Sequence, residues 1–330
     1  MRPVDHERAI AVPSAHQNMP GVRENERLER AFDWCRGVVR TRARNFYYGL
    51  RISPEPERSA VFALYAWMRE ADDLTDSDGP VERRRSAVEA FWERTQLALR
   101  SPSADDSELW IAFAHVANRY RLSESVLHDV VLGMLADLDA EAARSANGGE
   151  AIEICGTRDE LLGYCDRVAS TVGLCCVRIW GLRENTDERV AAQLATARGR
   201  AFQLTNILRD FAEDFDAGRV YLPREDFAKH GLTPAALRAW SDDQACRRFL
   251  GEMVGWAEGF YEESKALSGM IREDHVPTLN AMSGIYRGLL TKIAKDPAAI
   301  VSGKRVKLSK VAKVAIALKS VRAAKRAYDR

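Results

Sequence analysis

Apolar residues recur at three- and four-residue spacing through most of this chain, and nowhere do they alternate over a sustained run. That spacing gathers them on one side of an α-helix, whereas a half-buried strand needs a period of two. No run of alternating β-branched residues occurs, so there is no pair of strands for an Asn-Gly or Asp-Gly hairpin turn to join. The periodic segments cover about 26–44, 56–75, 80–100, 107–120, 123–143, 158–180, 187–215, 234–240, 242–272, 276–294 and 309–328. Between them stand "SPEPE", "DSDGP", "SPSADDSE", "SANGGE", "GLREN", "LPRED" and "KDP", all rich in turn formers. The reading is an all-α chain. Residues 1–24 carry three prolines and little periodicity and read as a loose leader. No long linker divides the rest, and 330 residues at 46% hydrophobic suffice for one large core over 25–330.

The six cysteines, Cys35, Cys155, Cys165, Cys175, Cys176 and Cys246, include no CxxC pair. They read as small core residues in a reducing compartment. The first residues lack a basic-then-apolar signal pattern, and no apolar stretch approaches a membrane span, so a cytoplasmic location is expected. The net charge of +1 hides an asymmetry. Residues 301–330 hold ten Lys/Arg against Asp329 alone, a balance of +9; the remaining 39 basic and 47 acidic residues leave −8. In 309–330, Val311, Val314, Ala315, Leu318, Val321 and Ala324 form one helical stripe among lysines and arginines. Such a basic amphipathic helix either packs on the body with a solvated basic face or rests on an anionic membrane, here the inner face. No nucleic-acid partner is expected.

Two segments depart from ordinary amphipathicity. In "ALYAWMREADDLTD", Tyr65, Arg69, Asp72 and Asp76 stand at offsets 0, 4, 7 and 11, one face of a helix over roughly 16 Å. In "GRAFQLTNILRDFAEDFDAGRVYLP", Gln203, Asn206, Asp210 and Asp214 stand at offsets 0, 3, 7 and 11. The acids sit at helix C-termini, where the dipole disfavours negative charge, and they repel one another at four-residue spacing. One acidic helix end is usually solvated surface. Two matching ladders on otherwise apolar helices point instead to a shared cation. Mg2+ typically takes one or two carboxylates together with substrate phosphate oxygens, and Arg69 and Arg209 can bind the same phosphates. There is no Walker-type loop, zinc-ligand histidine pair, GxSxG elbow or GxGxxG turn.

These residues resemble the squalene/phytoene synthases, the head-to-head prenyl synthases, over about Arg42 to Leu318. "RNFYYGLRISPEPERSAVFALYAWMREADDLTD" is similar to the first family signature, ending in DxxxD at Asp72 and Asp76. "YCDRVASTVG" resembles the middle motif, and "AFQLTNILRDFAEDFDAGRVYLP" the second signature, with DxxED at Asp210 to Asp214. "GIYRGLL" and "KRVKLSK" resemble the C-terminal end. Two departures are Asn45 in "RNFYYG" and Ser170 in "VASTVG". Ser170 and "FYYGLR" lean toward the bacterial presqualene diphosphate branch.

The resemblance implies a single-domain isoprenoid synthase bundle around a central apolar cavity, with the two Asp motifs facing across its mouth. It implies that Asp72, Asp76, Asp210 and Asp214, with Asn206, bind Mg2+, for which Mn2+ can substitute. Arg69, Gln203, Asn206, Arg209, Tyr65 and Tyr221 would hold the diphosphates. Phe46, Tyr164, Ala169, Val172 and Gly173 would line the pocket, and Tyr286 and Arg305 would close it. Tyr65 and Tyr164 could also stabilise a carbocation through their rings. The implied reaction joins two farnesyl diphosphates into presqualene diphosphate, or onward to squalene, releasing pyrophosphate. Condensation of geranylgeranyl diphosphate to phytoene is the alternative. Use of NADPH stays open, since family members that use it lack a Rossmann motif. Downstream isoprenoid enzymes are candidate partners. A head-to-tail elongase would carry two DDxxD motifs, which this chain lacks. Non-enzymatic assembly members of the family tend to lose acids, and all four remain here.

Overall fold

The computed structural model describes residues 20–43, 46–100, 107–146, 148, 152–153 and 155–328. Of the expected leader, 1–19 lie outside these residues, as does Asn45; 20–24 open the first helix. Fourteen α-helices follow. They are α1 Pro20–Arg42, α2 Phe46–Leu50, α3 Glu57–Thr75, α4 Val81–Arg100, α5 Glu108–Tyr120, α6 Glu124–Ala146, α7 Arg158–Cys165 and α8 Thr171–Trp180. After these come α9 Glu188–Asp216, α10 Arg224–Lys229, α11 Pro234–Ala239, α12 Asp243–Glu263, α13 Val276–Lys295 and α14 Lys310–Tyr328. The extended pairing among the described residues is slight: β1 Ile152–Glu153 runs parallel to β2 Arg219–Val220, and Leu182 bridges Ile271.

Two helices organise the bundle. Helix α3 packs among α1, α4 and α5, and α9 among α8, α12 and α13, while α6 and α8 join the two groups. Helix α3 is held by Trp67, which is fully buried, donates to Thr95 (3.0 Å) and stacks on Phe113 at 5.1 Å. Removing a side chain so placed costs about 3–5 kcal/mol. The helix stops at "TDSDGP" because Gly79 takes φ 125° and Pro80 follows. Helix α9 starts on Asp187, whose carboxylate accepts from the amides of Arg189 (2.8 Å) and Val190 (3.3 Å).

The two long rods depend on close packing behind them. The helix expected over 158–180 runs unbroken between those bounds, but it widens to a π turn, Asp166–Ser170, between α7 and α8. The bulge carries Ser170 against α9 so closely that a Cβ on Gly199 would lie 2.4 Å from Ser170 Cα. Gly173, one turn on, packs on the carbonyl of Ala195. The Ser170 Oγ lies within hydrogen-bond reach of Asp166 (2.9 Å) and of the Thr196 carbonyl (3.0 Å), which share its one hydrogen, and Arg200 grips Asp166 from α9. Ser170 is thus a fastener between elements rather than part of the cavity wall.

Other expectations need correction. The segment expected as helix over 242–272 leaves α-geometry after Glu263, passing through a 3₁₀ stretch, Ser264–Gly269, before Ile271 pairs with Leu182. Helices α2 and α10 are too short to show a period. All six cysteines are free and buried, as expected of small core residues. No helix among the described residues is long and apolar enough to cross a membrane.

Helix α14 packs by the face opposite to its apolar stripe. Lys313, Ile316 and Ser320 turn inward, with Ile316 seated against Gly284 and Gly288 of α13. Val311, Val314, Ala315 and Leu318 are exposed.

Candidate active site

The acid-bearing ends of α3 and α9 meet. Asp72 and Asp76 from one rod, and Asp210 and Asp214 from the other, line one polar recess of about 300 Å3. Gln203, Asn206, Arg209, Tyr164 and Tyr221 line it too. It adjoins a larger cavity of about 880 Å3, with Asp72, Tyr164, Gln203, Asn206 and Arg209 in both walls. Phe46, Tyr65, Arg69, Ala169, Val172, Gly173, Tyr286 and Arg305 complete the set named from sequence, all on the larger wall. None of the named residues lies elsewhere. The cavity's apolar lining comes from α3 (Val61, Leu64, Met68), α8 (Cys176, Val177, Trp180) and α9 (Ala195, Phe202). Tyr286 sits between Phe202, at 4.7 Å, and Phe46, at 5.0 Å.

The acids differ in their surroundings. Asp210 is clamped: Arg209 donates at 2.8 and 2.5 Å, and Arg305 at 2.7 and 2.6 Å. Burial opposes ionisation there, yet these charge-assisted bonds hold its carboxyl below the usual range. Burial pushes the Asp214 carboxyl up to about 7, with Arg219 opposing and Asp210 and Glu213 reinforcing. Enclosure also pushes Asp72 up to about 7, against the pull of Arg69, with repulsion from Asp76, Asp73 and Asp137. The Asp72 side chain still exposes 48% of its surface, toward the open recess, so enclosure by the walls rather than contact burial is the cause. Arg69 reaches Asp73 more closely than Asp72, which it meets at 3.8 Å, and Arg42 holds Asp73 from the other side at 2.6 Å.

Several residues of the site were not named from sequence. Asp137 on α6 lies in both walls and accepts from Tyr164 (3.1 Å) and Tyr221 (3.2 Å), whose rings stack at 4.9 Å. Burial pushes its carboxyl up to about 6, with both tyrosine hydroxyls and Arg219 opposing. The ladder rule did not reach it, because Asp137 shares its helix face with the apolar Val130 and Met134, and the one signal was a lone acid on an apolar stripe. Arg219, on β2, stands between the two motifs, 3.9 Å from Asp76 and 3.8 Å from Asp214. Lys313 is buried on the cavity wall over the ring of Tyr48, and burial beside Arg209 and Lys307 lowers its pKa. Its place among lysines on a basic helix gave no signal.

The recess fits a divalent cation and a diphosphate together. Asn206 Oδ1 is buried with no hydrogen-bond donor, as suits an oxygen kept for a cation, and the side chains of Asp72, Asp76 and Asp214 show no hydrogen bond among the described residues. Arg69 Nε and Arg219 Nε are buried donors without acceptors, as suits an anion. No three acidic, histidine or cysteine side chains among the described residues converge to enclose a cation by themselves. A cation held here would need further oxygen ligands from a bound phosphate, as Mg2+ commonly takes.

A helical bundle with two acid-tipped rods over an apolar cavity is the architecture of the isoprenoid synthases. The squalene/phytoene synthase family profile matches residues 39–312, and the chain belongs to that family, the head-to-head prenyl synthases. It is 32% identical over 293 residues to a phytoene synthase of Mycobacterium tuberculosis, covering 88% of this chain and 90% of that one. It is equally 32% identical over 292 residues to a presqualene diphosphate synthase of Zymomonas mobilis, covering 86% and 91%. The crystal structure of a dehydrosqualene synthase in complex with ligand superposes with a TM-score of 0.78 at 25% identity, covering 92% of this chain and 99% of that one.

Proposed function

We propose that the protein joins two allylic prenyl diphosphates head to head with release of pyrophosphate, and that its substrate is farnesyl diphosphate and its first product presqualene diphosphate. The observation that carries this reading is the meeting of Asp72 and Asp76 with Asp210 and Asp214 at a polar recess that adjoins an apolar cavity. Support for the shorter chain comes from the sequence, where Ser170 and the "FYYGLR" stretch resemble the presqualene diphosphate branch.

Mg2+, or Mn2+, would be held by Asp72, Asp76, Asn206, Asp210 and Asp214, and would supply charge neutralisation to the departing pyrophosphate. The chain's own residues do the rest. Arg69, Arg209, Arg219, Arg305 and Lys313 bring fixed positive charge to the diphosphates, with no reorganisation needed as negative charge develops. Gln203 and Tyr221 border the recess and orient them. The walls from Phe46, Ala169, Val172, Gly173, Phe202 and Tyr286 keep water from an allylic cation. Tyr164 has its hydrogen engaged by Asp137, so its oxygen lone pairs and the ring face turned away from Tyr221 are left for positive charge in the cavity. Tyr65, also on the wall and pushed up to about 12 by enclosure, stays protonated and can donate.

The test is incubation with farnesyl and geranylgeranyl diphosphates separately, with and without NADPH, followed by product mass. A C30 diphosphate from farnesyl diphosphate supports the reading, and its conversion to squalene with NADPH would extend it. Exclusive formation of a C40 product replaces it by phytoene synthesis, and no condensation from either substrate overturns it.

A further inference from the structure

Six large hydrophobic side chains are well exposed among the described residues, and three of them, Val311 (79%), Val314 (42%) and Leu318 (51%), lie within eight residues of α14. They project opposite to Lys313, Ile316 and Ser320, the face already packed on α13. Continuing along the outward side, the last turns expose Lys319, Arg322, Lys325 and Arg326. The outer surface of this helix is therefore apolar in its first half and cationic in its second, and no acidic residue interrupts it between Lys310 and Tyr328.

We propose that this outward face docks on an anionic lipid surface, with Val311, Val314 and Leu318 entering the headgroup boundary and the distal basic residues against the headgroups. Charge complementarity argues for that occupant: residues 301–330 carry +9 and the rest of the chain −8, so an anionic bilayer attracts this end and repels the body. An antiparallel two-fold pairing of α14 with a second copy would instead set the apolar half of each against the basic half of the other, an unfavourable match. The placement also has a use. The segment leading into α14 supplies Arg305, Val306 and Lys307 to the cavity wall, so docking would bring the cavity beside a bilayer into which the apolar product of the proposed reaction can partition. The docking itself does not rest on the catalytic reading.

The test is co-flotation of the ligand-free full-length protein with vesicles of phosphatidylcholine alone or with about one-third phosphatidylglycerol, at ~0.1 M salt. The expected result is binding to the anionic vesicles only, weakened by salt. The variant Val311→Asp/Leu318→Asp should lose about tenfold or more, as should Lys319→Glu/Arg322→Glu. Both variants should keep helical content and turnover of substrate presented in detergent. Absence of wild-type flotation overturns the proposal, as does unchanged flotation of both variants. Light scattering that shows a concentration-dependent oligomer, dispersed by Val311→Asp/Leu318→Asp, would assign the face to a second copy instead.

Discussion

Arg305 lays its guanidinium along both oxygens of the Asp210 carboxylate, at 2.7 and 2.6 Å, from a segment ninety-five residues further along the chain. Arg305 keeps 41% of its side-chain surface, so the pair contributes little to stability. Its value lies in holding a positive charge at the recess. Arg305→Ala should leave the melting temperature nearly unchanged while kcat/KM falls about 10–100-fold, a loss of roughly 1.4–2.7 kcal/mol in transition-state binding. Steady-state kinetics beside a thermal melt checks this; a large drop in melting temperature with normal kinetics would make the pair structural.

Asp137 is the unexpected member of the site. Asp137→Asn replaces an acceptor-only group with one that also presents N–H, so one of the two tyrosine hydroxyls must turn. The expected outcome is a fall in kcat of about a hundredfold with KM little altered. If KM rises while kcat holds, the residue serves substrate binding rather than the setting of Tyr164.

Gly199 has no room for a side chain. In Gly199→Ala the new methyl would meet the backbone of Ser170 at 2.4–2.7 Å, so α9 must move off the π turn. Overpacking of this kind costs about 1–3 kcal/mol. A chemical denaturation midpoint equal to that of the parent would show that the turn yields freely.

His275 sets a pH dependence. It is fully buried, stacks on Trp180 and shares a hydrogen bond with Ser53 (2.8 Å). Burial holds its pKa below the ordinary histidine value, with Asp274 and Glu57 opposing. The unfolded chain therefore binds the proton first, and the stability due to neutral His275 is present above about pH 6.5 and lost below it, down toward the depressed folded pKa. His275→Gln should be less stable at pH 8 but flatter between pH 7 and pH 5 when melts are compared. An equal slope in both proteins would place the acid sensitivity elsewhere.

Much of this was legible in the residues, for reasons that also explain the gaps. Helices α3 and α9 ended within about a residue of expectation because Gly79, Pro80, Asp187 and Gly218 punctuate them. The two ladders pointed at one place because helical spacing fixes which side chains share a face. The π turn was not legible, since an extra residue in one turn leaves the apolar pattern almost intact. The packed face of α14 was misjudged because Lys313, a charged residue, is buried there, while three apolar residues are left outside. Arg219 stands off any helix and follows no period. Arg305 came from resemblance to the family's C-terminal end, not from spacing.

The central claim is tested most directly by following pyrophosphate release from farnesyl diphosphate, using wild type, Asp72→Asn and Asp210→Asn with Mg2+, and wild type in EDTA. The account expects steady release by wild type with Mg2+, none in chelator until Mg2+ is returned, and about 1% or less in either folded variant. Wild-type rates in either variant, or undiminished release in EDTA, would contradict it.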